Sequence, residues 1–228
     1  MARTEARTDA KTPRERYREQ VRAEIKERAR EQIATAGASA LSLNAIARQL
    51  GMTGPALYRY FASRDDLITE LVRDAYRSLA DAVAAAAADG ADLAGLAHAL
   101  RDWALADPQR YFLVYGTPVP GYHAPDEITG IASEIMATLL DASVAARDDT
   151  GAPATPFTAH LADHRRWAGD HDAPPAALRR ALAFWTRLHG ALSLELAGHF
   201  NGMGFDPARL YAAEVADLLG DSGGQGSV

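Results

Sequence analysis

The residues best suited to chemistry lie between Ser42 and Leu67, where hydroxyl and guanidinium groups recur at short spacing. Such groups donate hydrogen bonds to the phosphate oxygens of nucleic acids. Four of these donors are Thr53, Tyr58, Tyr60 and Arg64. They favour binding to a polyanion, although Arg48 and Arg59 nearby are equally consistent with solvated surface charges.

Catalytic patterns are weak in the rest of the chain. The absence of cysteine excludes disulfides and thiolate chemistry, and no Ser-His-Asp order or glycine-rich phosphate loop stands out. His160 and His164 have the spacing of two metal ligands on a helix, with His171 nearby, but they lie in a proline-rich stretch. We therefore expect no metal and no cofactor, and keep a helical metal-dependent enzyme as the least favoured alternative.

Two short helical patterns surround the donors. Ser42 begins the first pattern, which ends at Leu50, and Gly51 can adopt the left-handed conformation that ends a helix. Thr53 begins the second pattern, with Pro55 in its first turn, where a missing N–H costs little. This layout is typical of a helix-turn-helix, which places its second helix in the major groove of DNA.

Apolar spacing predicts the neighbours of this motif. Ile46, Leu50 and Leu57 should fill the seam between its two helices. A preceding helix is expected from about Pro13 to Ala36. Its apolar stripe advances in steps of four through Tyr17, Val21, Ile25, Ala29 and Ile33.

A fourth helix should begin at a capping box formed by Ser63 and Asp66 and should fade near Gly90.

Charge is divided unevenly along the chain, whose net charge is −6. Residues 1–66 contain 13 Lys or Arg against 9 Asp or Glu, whereas residues 67–228 contain 11 against 21. An acidic protein can therefore present a basic N-terminal part to a polyanion. Residues 1–13 are expected to form a disordered basic arm.

The composition favours helix, because Ala, Leu, Arg and Glu dominate while β-branched residues are sparse. The sequence predicts an all-α protein of about nine helices. Residues 14–62 should form the helix-turn-helix domain, residues 63–219 an antiparallel helical bundle and residues 220–228 a disordered tail. Residues 151–175, rich in Pro, Asp and His, are expected to be a long linker or insertion. Without a signal peptide or a membrane-spanning apolar run, a cytoplasmic protein is expected.

Four short motifs carry a resemblance to a known family. They are Leu43-Asn-Ala-Ile-Ala47, Leu50-Gly51, Leu57-Tyr-Arg-Tyr-Phe61 and Ser63-Arg-Asp-Asp-Leu67. Together with the first helix they resemble the N-terminal domain of TetR-family transcriptional regulators. The resemblance implies three DNA-binding helices, a connecting fourth helix and a C-terminal bundle that binds a ligand and dimerises.

The same resemblance implies roles for individual residues. Those that would approach bases are Asn44, Gly54, Pro55 and Ala56. Those that would approach phosphates are Thr53, Tyr58, Tyr60 and Arg64. Tyr60 departs from the family pattern, in which His is frequent. Because Gly54 and Ala56 have almost no side chain, direct readout would rest on Asn44, with methyl contacts to thymine from Ala56 and Pro55.

Two C-terminal segments resemble a subgroup with a Trp-His-Gly signature. They are Trp103 to Phe112, followed by Gly116-Thr-Pro-Val-Pro120, and Trp185 to Gly190 with Glu195. Trp185 and His189 are four residues apart and share a helix face. The expected ligand pocket is lined by Trp103, Phe112, Tyr115, Met136, Trp185 and His189. Alternatively, His189 is a core histidine bonded to a backbone carbonyl or to Glu195, and the aromatic residues are plain core.

These observations predict a ligand-responsive DNA-binding regulator. It would act as a repressor on double-stranded DNA, as a homodimer formed through residues 178–219, and an unknown small-molecule effector would release it from a pseudo-palindromic operator. An activator fits the sequence as well. The main alternative is a constitutive DNA-binding regulator with a solid core and no ligand.

Overall fold

The computed structural model describes residues 12–116, 121–146 and 154–220. Within these ranges the chain is all-helical, as predicted, with ten α-helices, two short 3-10 helices and no strand. The helices are α1 (Pro13–Ala36), α2 (Leu43–Gln49), α3 (Gly54–Leu57), α4 (Arg64–Ala88), α5 (Leu93–Ala106), α6 (Pro108–Tyr115), α7 (Asp126–Ala145), α8 (Pro156–Asp163), α9 (Pro175–Leu196) and α10 (Pro207–Leu219). The predicted arm and tail lie almost wholly outside the described residues, as do the last four residues of the Gly116-Thr-Pro-Val-Pro120 motif.

The chain forms two compact units that divide between Leu71 and Val72. Helix α4 therefore contributes its start, from Arg64 to Leu71, to the N-terminal unit and its remainder to the C-terminal unit.

In the N-terminal unit, α1 begins at a capping box in which Thr12 and Glu15 bond reciprocally. Its predicted stripe is buried from Val21 to Ile33. Tyr17 was wrongly assigned to that stripe, since 64% of it is exposed. The reason is that residues 12–20 are all exposed, so the first turns of α1 bury no side chain against the described part of the unit.

The helix-turn-helix forms where the sequence predicts it. The Ser42 hydroxyl accepts a hydrogen bond from the N–H of Ala45, and Gly51 adopts a φ of +64° in the turn. Ile46 and Leu57 are fully buried in the seam, whereas Leu50 is half-buried. The tight turn thus presents the first residues of α3 at the surface.

Helix α4 begins with the predicted serine cap, because the N–H of Asp66 donates to the Ser63 hydroxyl at 3.0 Å. The Asp66 carboxylate accepts from the N–H of Ala62, also at 3.0 Å, one residue before the position expected in a capping box. The cap fixes where the turn after α3 ends.

The C-terminal unit is a helical bundle in which α9 packs against α7, α8 and α10. Its main core combines side chains from α4, α5, α6, α7, α9 and α10. Among the described helices, only α7 is long and apolar enough by composition to cross a membrane. Its Ile131, Ile135 and Leu139 are buried in the bundle core.

Residues 151–175 were expected to be a linker or an insertion, and a structureless linker is wrong for the described part, which contains α8. Thr155 and Thr158 form a capping box, Pro156 occupies the first helical position, and α8 follows. Leu161 of α8 is buried in a second cluster with Leu140 and Leu178. The proline-rich composition indicated a loop, but the cap at Thr155 and the burial of Leu161 favour a helix.

Candidate nucleic-acid interface and buried aromatic cluster

The first turns of α2 and α3 lie side by side. A Cβ added to Gly54 would be 3.4 Å from Oδ1 of Asn44, an ordinary van der Waals contact, so the two helix starts lie close together. Asn44 and Pro55 are exposed, while Gly54 and Ala56 are half-buried. The four residues expected to approach bases thus lie on one surface of the unit.

The hydroxyl-bearing residues of the same surface differ in accessibility. Thr53 is exposed, and its hydroxyl oxygen accepts from the N–H of Ala56 at 3.4 Å, which leaves its hydrogen free to donate. Tyr58 is 48% exposed, whereas Tyr60 is half-buried. Both tyrosines follow α3 in a turn, because α3 itself ends at Leu57.

Arg64 is partly used inside the unit. Its Nη2 donates to the carbonyl of Ala38 at 2.8 Å, and its Nη1 lies 3.5 Å from the carboxylate of Asp65. By contrast, Arg48 and Arg59 are exposed and have no ion pair or side-chain hydrogen bond among the described residues. The sequence alone was equally consistent with solvated surface charges at these two positions, because only the fold shows which cations stay accessible.

In the C-terminal unit, aromatic rings converge on Tyr115. Its ring centroid lies 4.2 Å from that of His189, 5.7 Å from that of Trp185 and 6.0 Å from that of Tyr76. The Tyr111 hydroxyl lies 3.1 Å from Nδ1 of His189. His189 therefore belongs to an aromatic cluster contributed by α4, α6 and α9.

His189 does not form the bond to Glu195 that the sequence left open. Glu195 pairs instead with Arg101 at 2.5 Å. Nε2 of His189 and the hydroxyl oxygen of Tyr115 are both buried, and neither has a hydrogen-bond partner among the described residues. Burial lowers the pKa of His189 to about 4 and raises the pKa of Tyr115, so both groups are neutral at pH 7.

Family models match both units. Residues 25–71 match the bacterial regulatory proteins of the tetR family, and residues 93–218 match the tetracyclin repressor-like C-terminal domain. The chain belongs to the TetR family. It is therefore a DNA-binding transcriptional regulator.

Individual TetR-family relatives are similar over most of the chain. The HTH-type transcriptional regulators Rv1816 of Mycobacterium tuberculosis and Mb1846 of Mycobacterium bovis are each 39% identical over 206 residues, which covers 83% of this chain and 87% of theirs. The crystal structure of SCO4313, described as a regulatory protein, is 70% identical with a TM-score of 0.84, covering 92% of this chain and all of that one. A Rhodococcus sp. RHA1 protein of unknown function, 21% identical with a TM-score of 0.64 over 95% of this chain and 98% of its own, shares the fold.

The structure brings together most of the pocket residues predicted for this TetR-family regulator. Trp103 is buried, with its Nε1 donating to the Ser78 hydroxyl at 3.0 Å, and Phe112 lies edge-on to Tyr111 with centroids 5.5 Å apart. Met136 is placed elsewhere, against the second cluster around Leu140. The space bounded by Leu79, Val83, Leu96, Leu100, Ile135, Leu139, Phe184 and Trp185 has no room for a water molecule.

The histidines considered for a metal are also placed. The rings of His160 and His164 stack with centroids 4.0 Å apart, and Nδ1 of His164 lies 3.0 Å from the carbonyl of His160. Nε2 of His171 instead contacts the carboxylate of Asp141 at 3.0 Å. In the described ranges no three potential ligands come together.

Proposed function

We propose that this TetR-family regulator is a repressor that a small molecule releases from its operator in the cytoplasm. The observation that carries the ligand response is the pair of buried, unpartnered polar atoms, the Tyr115 hydroxyl and Nε2 of His189. An unsatisfied buried polar group costs about 1–3 kcal/mol, and each one in a folded protein calls for an explanation. A ligand that bonds both atoms removes that cost.

The cluster also supports a particular chemistry for the effector. The Tyr111 hydroxyl lies 3.1 Å from the His189 carbonyl, which can only accept, and 2.9 Å from the Ser193 hydroxyl. One arrangement satisfies all three contacts of the Tyr111 hydroxyl. Tyr111 donates to the His189 carbonyl, and Nδ1–H of His189 and the Ser193 hydroxyl both donate to the Tyr111 oxygen. Nε2 then has a free lone pair. The effector is accordingly a small, mostly apolar aromatic molecule with a hydrogen-bond donor for Nε2.

DNA recognition rests on the surface around α2 and α3. Base contacts are assigned to Asn44, Gly54, Pro55 and Ala56, and phosphate contacts to Thr53, Tyr58, Tyr60 and Arg64. Exposure supports Asn44, Thr53, Pro55 and Tyr58. The accessible guanidinium groups of Arg48 and Arg59 add two phosphate contacts to this set.

The regulator is a homodimer that uses α9 and α10, within residues 178–219. Thr186, Gly190 and Leu194 form an exposed stripe along α9, and a Cβ added to Gly190 would meet nothing within 4 Å. Leu194 is 45% exposed. Such a surface of small and apolar residues allows close helix packing across a two-fold axis, which matches a pseudo-palindromic operator.

Effector and operator compete through α4. This helix begins in the DNA-binding unit and continues into the bundle, where Tyr76 contacts Tyr115. A molecule that separates these rings moves α4 and changes the spacing of the two recognition helices, so that the dimer no longer fits its operator.

The test begins with an operator selected from random duplexes by the purified full-length protein. Simple phenols and hydroxylated bicyclic aromatics are then titrated, with Trp fluorescence reporting binding to the protein and fluorescence anisotropy reporting release of labelled operator. At least one compound should do both, and His189→Phe should abolish its binding. Compounds that bind the bundle without changing operator affinity would disprove the mechanism.

The space beside Trp185, which has no room for a water molecule, favours a second candidate, a constitutive regulator without effector. In that case the Tyr115 hydroxyl and His189 have only structural roles. Tyr115→Phe then stabilises the protein, and no compound quenches the fluorescence of Trp185. Effector binding requires instead that a compound raise the melting temperature of the protein, because a ligand that binds only the folded state stabilises it.

A further inference from the structure

We propose that Arg22 is a positioning residue for DNA recognition. It holds the segment that follows α3 against α1 and α4, and specific binding depends on it although it does not contact DNA. All the groups involved belong to the N-terminal unit.

The guanidinium of Arg22 makes three contacts at once. Its Nη1 donates to the carbonyl of Tyr60 at 2.5 Å, and its Nη2 lies 3.2 Å from Oε2 of Glu70 on α4. Its Cζ lies 4.3 Å from the centre of the Phe61 ring. One side chain on α1 thus ties the end of the recognition segment, residues 54–61, to α1 and α4.

The recognition segment needs such a tie. Helix α3 is a single turn from Gly54 to Leu57, and one turn fixes several backbone dihedrals in return for few hydrogen bonds. Tyr58 and Tyr60 lie in the turn that follows, where the N–H of Tyr58 donates to the Gly54 carbonyl at 3.1 Å and the N–H of Tyr60 donates to the Leu57 carbonyl at 2.8 Å. These bonds are local to the turn, and the burial of Phe61 and the bond from Arg22 to the Tyr60 carbonyl are what hold the turn against the rest of the unit.

Only arginine suits this position. Its planar fork can donate to a carbonyl and a carboxylate in different directions while its face covers an aromatic ring. A lysine keeps the charge opposite Glu70 but cannot make all three contacts. The side chains of Arg22 and Glu70 are 28% and 22% exposed, so solvent screens their pair less than a surface pair.

Arg30 provides a matched control on the same helix. It pairs with Glu27 within α1 at 2.6 Å, and their side chains are 42% and 61% exposed. Arg30→Met removes the same charge as Arg22→Met at an exposed ion pair within α1.

The experiment compares Arg22→Met, Arg22→Lys and Arg30→Met in the full-length protein. The affinities for the selected operator and for a random duplex of equal length are measured across a range of salt concentrations, with circular dichroism checking the fold. Arg22→Met should weaken operator binding about tenfold, as expected for a lost hydrogen bond from a charged group. Random-duplex affinity and the salt slope should stay unchanged, because no phosphate contact is lost.

Arg22→Lys should recover little of the operator affinity, and Arg30→Met should bind the operator as the wild type does. A salt slope lowered by about one, with equal losses on both duplexes, would make Arg22 a phosphate contact and overturn the proposal. If Arg22→Met fails to fold, the lysine variant decides, since wild-type operator affinity in Arg22→Lys would also overturn it.

Discussion

The ring of Tyr76 lies edge-on to the ring of Tyr115, with centroids 6.0 Å apart and planes inclined by 70°. Tyr76 is on α4, the helix that starts in the DNA-binding unit, and Tyr115 ends α6 in the bundle. The hydroxyl of Tyr115 is one of the two atoms assigned to the effector. One ring contact therefore joins the proposed effector site to α4, the helix whose first residues belong to the N-terminal unit.

Tyr76→Leu should uncouple effector from operator. Removing the ring contact leaves the bonds from the effector to Tyr115 and His189 in place but breaks their link to α4. We expect the effector Kd to become the same with and without operator, because coupling between two ligands is reciprocal. Calorimetric titrations in both conditions measure this, and Tyr76→Phe, which keeps the ring, should retain the wild-type difference.

His189 should make folding stability depend on pH. Burial lowers its pKa from 6.5 in the unfolded chain to about 4 in the fold, so between these values the unfolded state binds more protons. The contribution of His189 to stability is complete above pH 6.5 and is lost as the pH falls towards 4. The loss is on the order of 3 kcal/mol.

Urea unfolding of the wild type and of His189→Asn between pH 7.5 and 4.5 tests this prediction. The asparagine variant should lose less stability on acidification, because the carboxylates common to both proteins cancel in the difference. His98→Asn, at an exposed position of the same unit, should follow the wild type. Parallel pH curves for wild type and His189→Asn would show that His189 is not buried as a neutral group.

Local signals in the sequence predicted where helices begin. Ser42, Thr53 and Ser63 each cap a helix through a bond from the backbone N–H three residues further on, so the partner lies within the pattern itself. The capping box at Thr155 obeys the same rule but was overlooked because of the surrounding prolines.

Contacts between distant residues could not be predicted in this way. Arg22 and Tyr60 are 38 residues apart, and Arg64 and Ala38 are 26 apart, and in both cases the acceptor is a backbone carbonyl without a sequence signature. Likewise Met136 was assigned to the aromatic pocket from its type. Its place in the second cluster depends on which side of α7 the bundle covers.

The accessible arginines should dominate the salt dependence of binding. Arg48→Ala and Arg59→Ala should each lower the slope of log K against log salt by about 0.9, the value for one lost phosphate contact. Arg64→Ala should weaken binding on all duplexes alike and should also destabilise the unit, because its bond to the Ala38 carbonyl is lost. Binding isotherms at four salt concentrations separate these effects, and unchanged slopes for both Arg48 and Arg59 would remove them from the interface.

Asn44 should read a base. Asn44→Ala is expected to relax the preference at one position of each half-site, at a cost of about 1–3 kcal/mol for the preferred base. A panel of single-base operator variants measures the preference. Ser42, whose hydroxyl caps α2 on the same surface, gives a control, since Ser42→Thr keeps the cap and should keep the preference. Loss of affinity by the same factor on every operator variant would show that Asn44 contacts the DNA phosphate backbone and not a base.

The exposed stripe of α9 should form the dimer interface. Leu194→Asp places a charge at a position that is 45% exposed in the single chain and that dimerisation would bury. We expect a monomer by sedimentation velocity, with an unchanged helical circular dichroism spectrum and binding only to isolated half-sites. Val144→Asp is the matched control, because Val144 is 42% exposed on α7, outside the proposed interface. A Leu194→Asp protein that still sediments as a dimer and protects both half-sites would place the interface elsewhere.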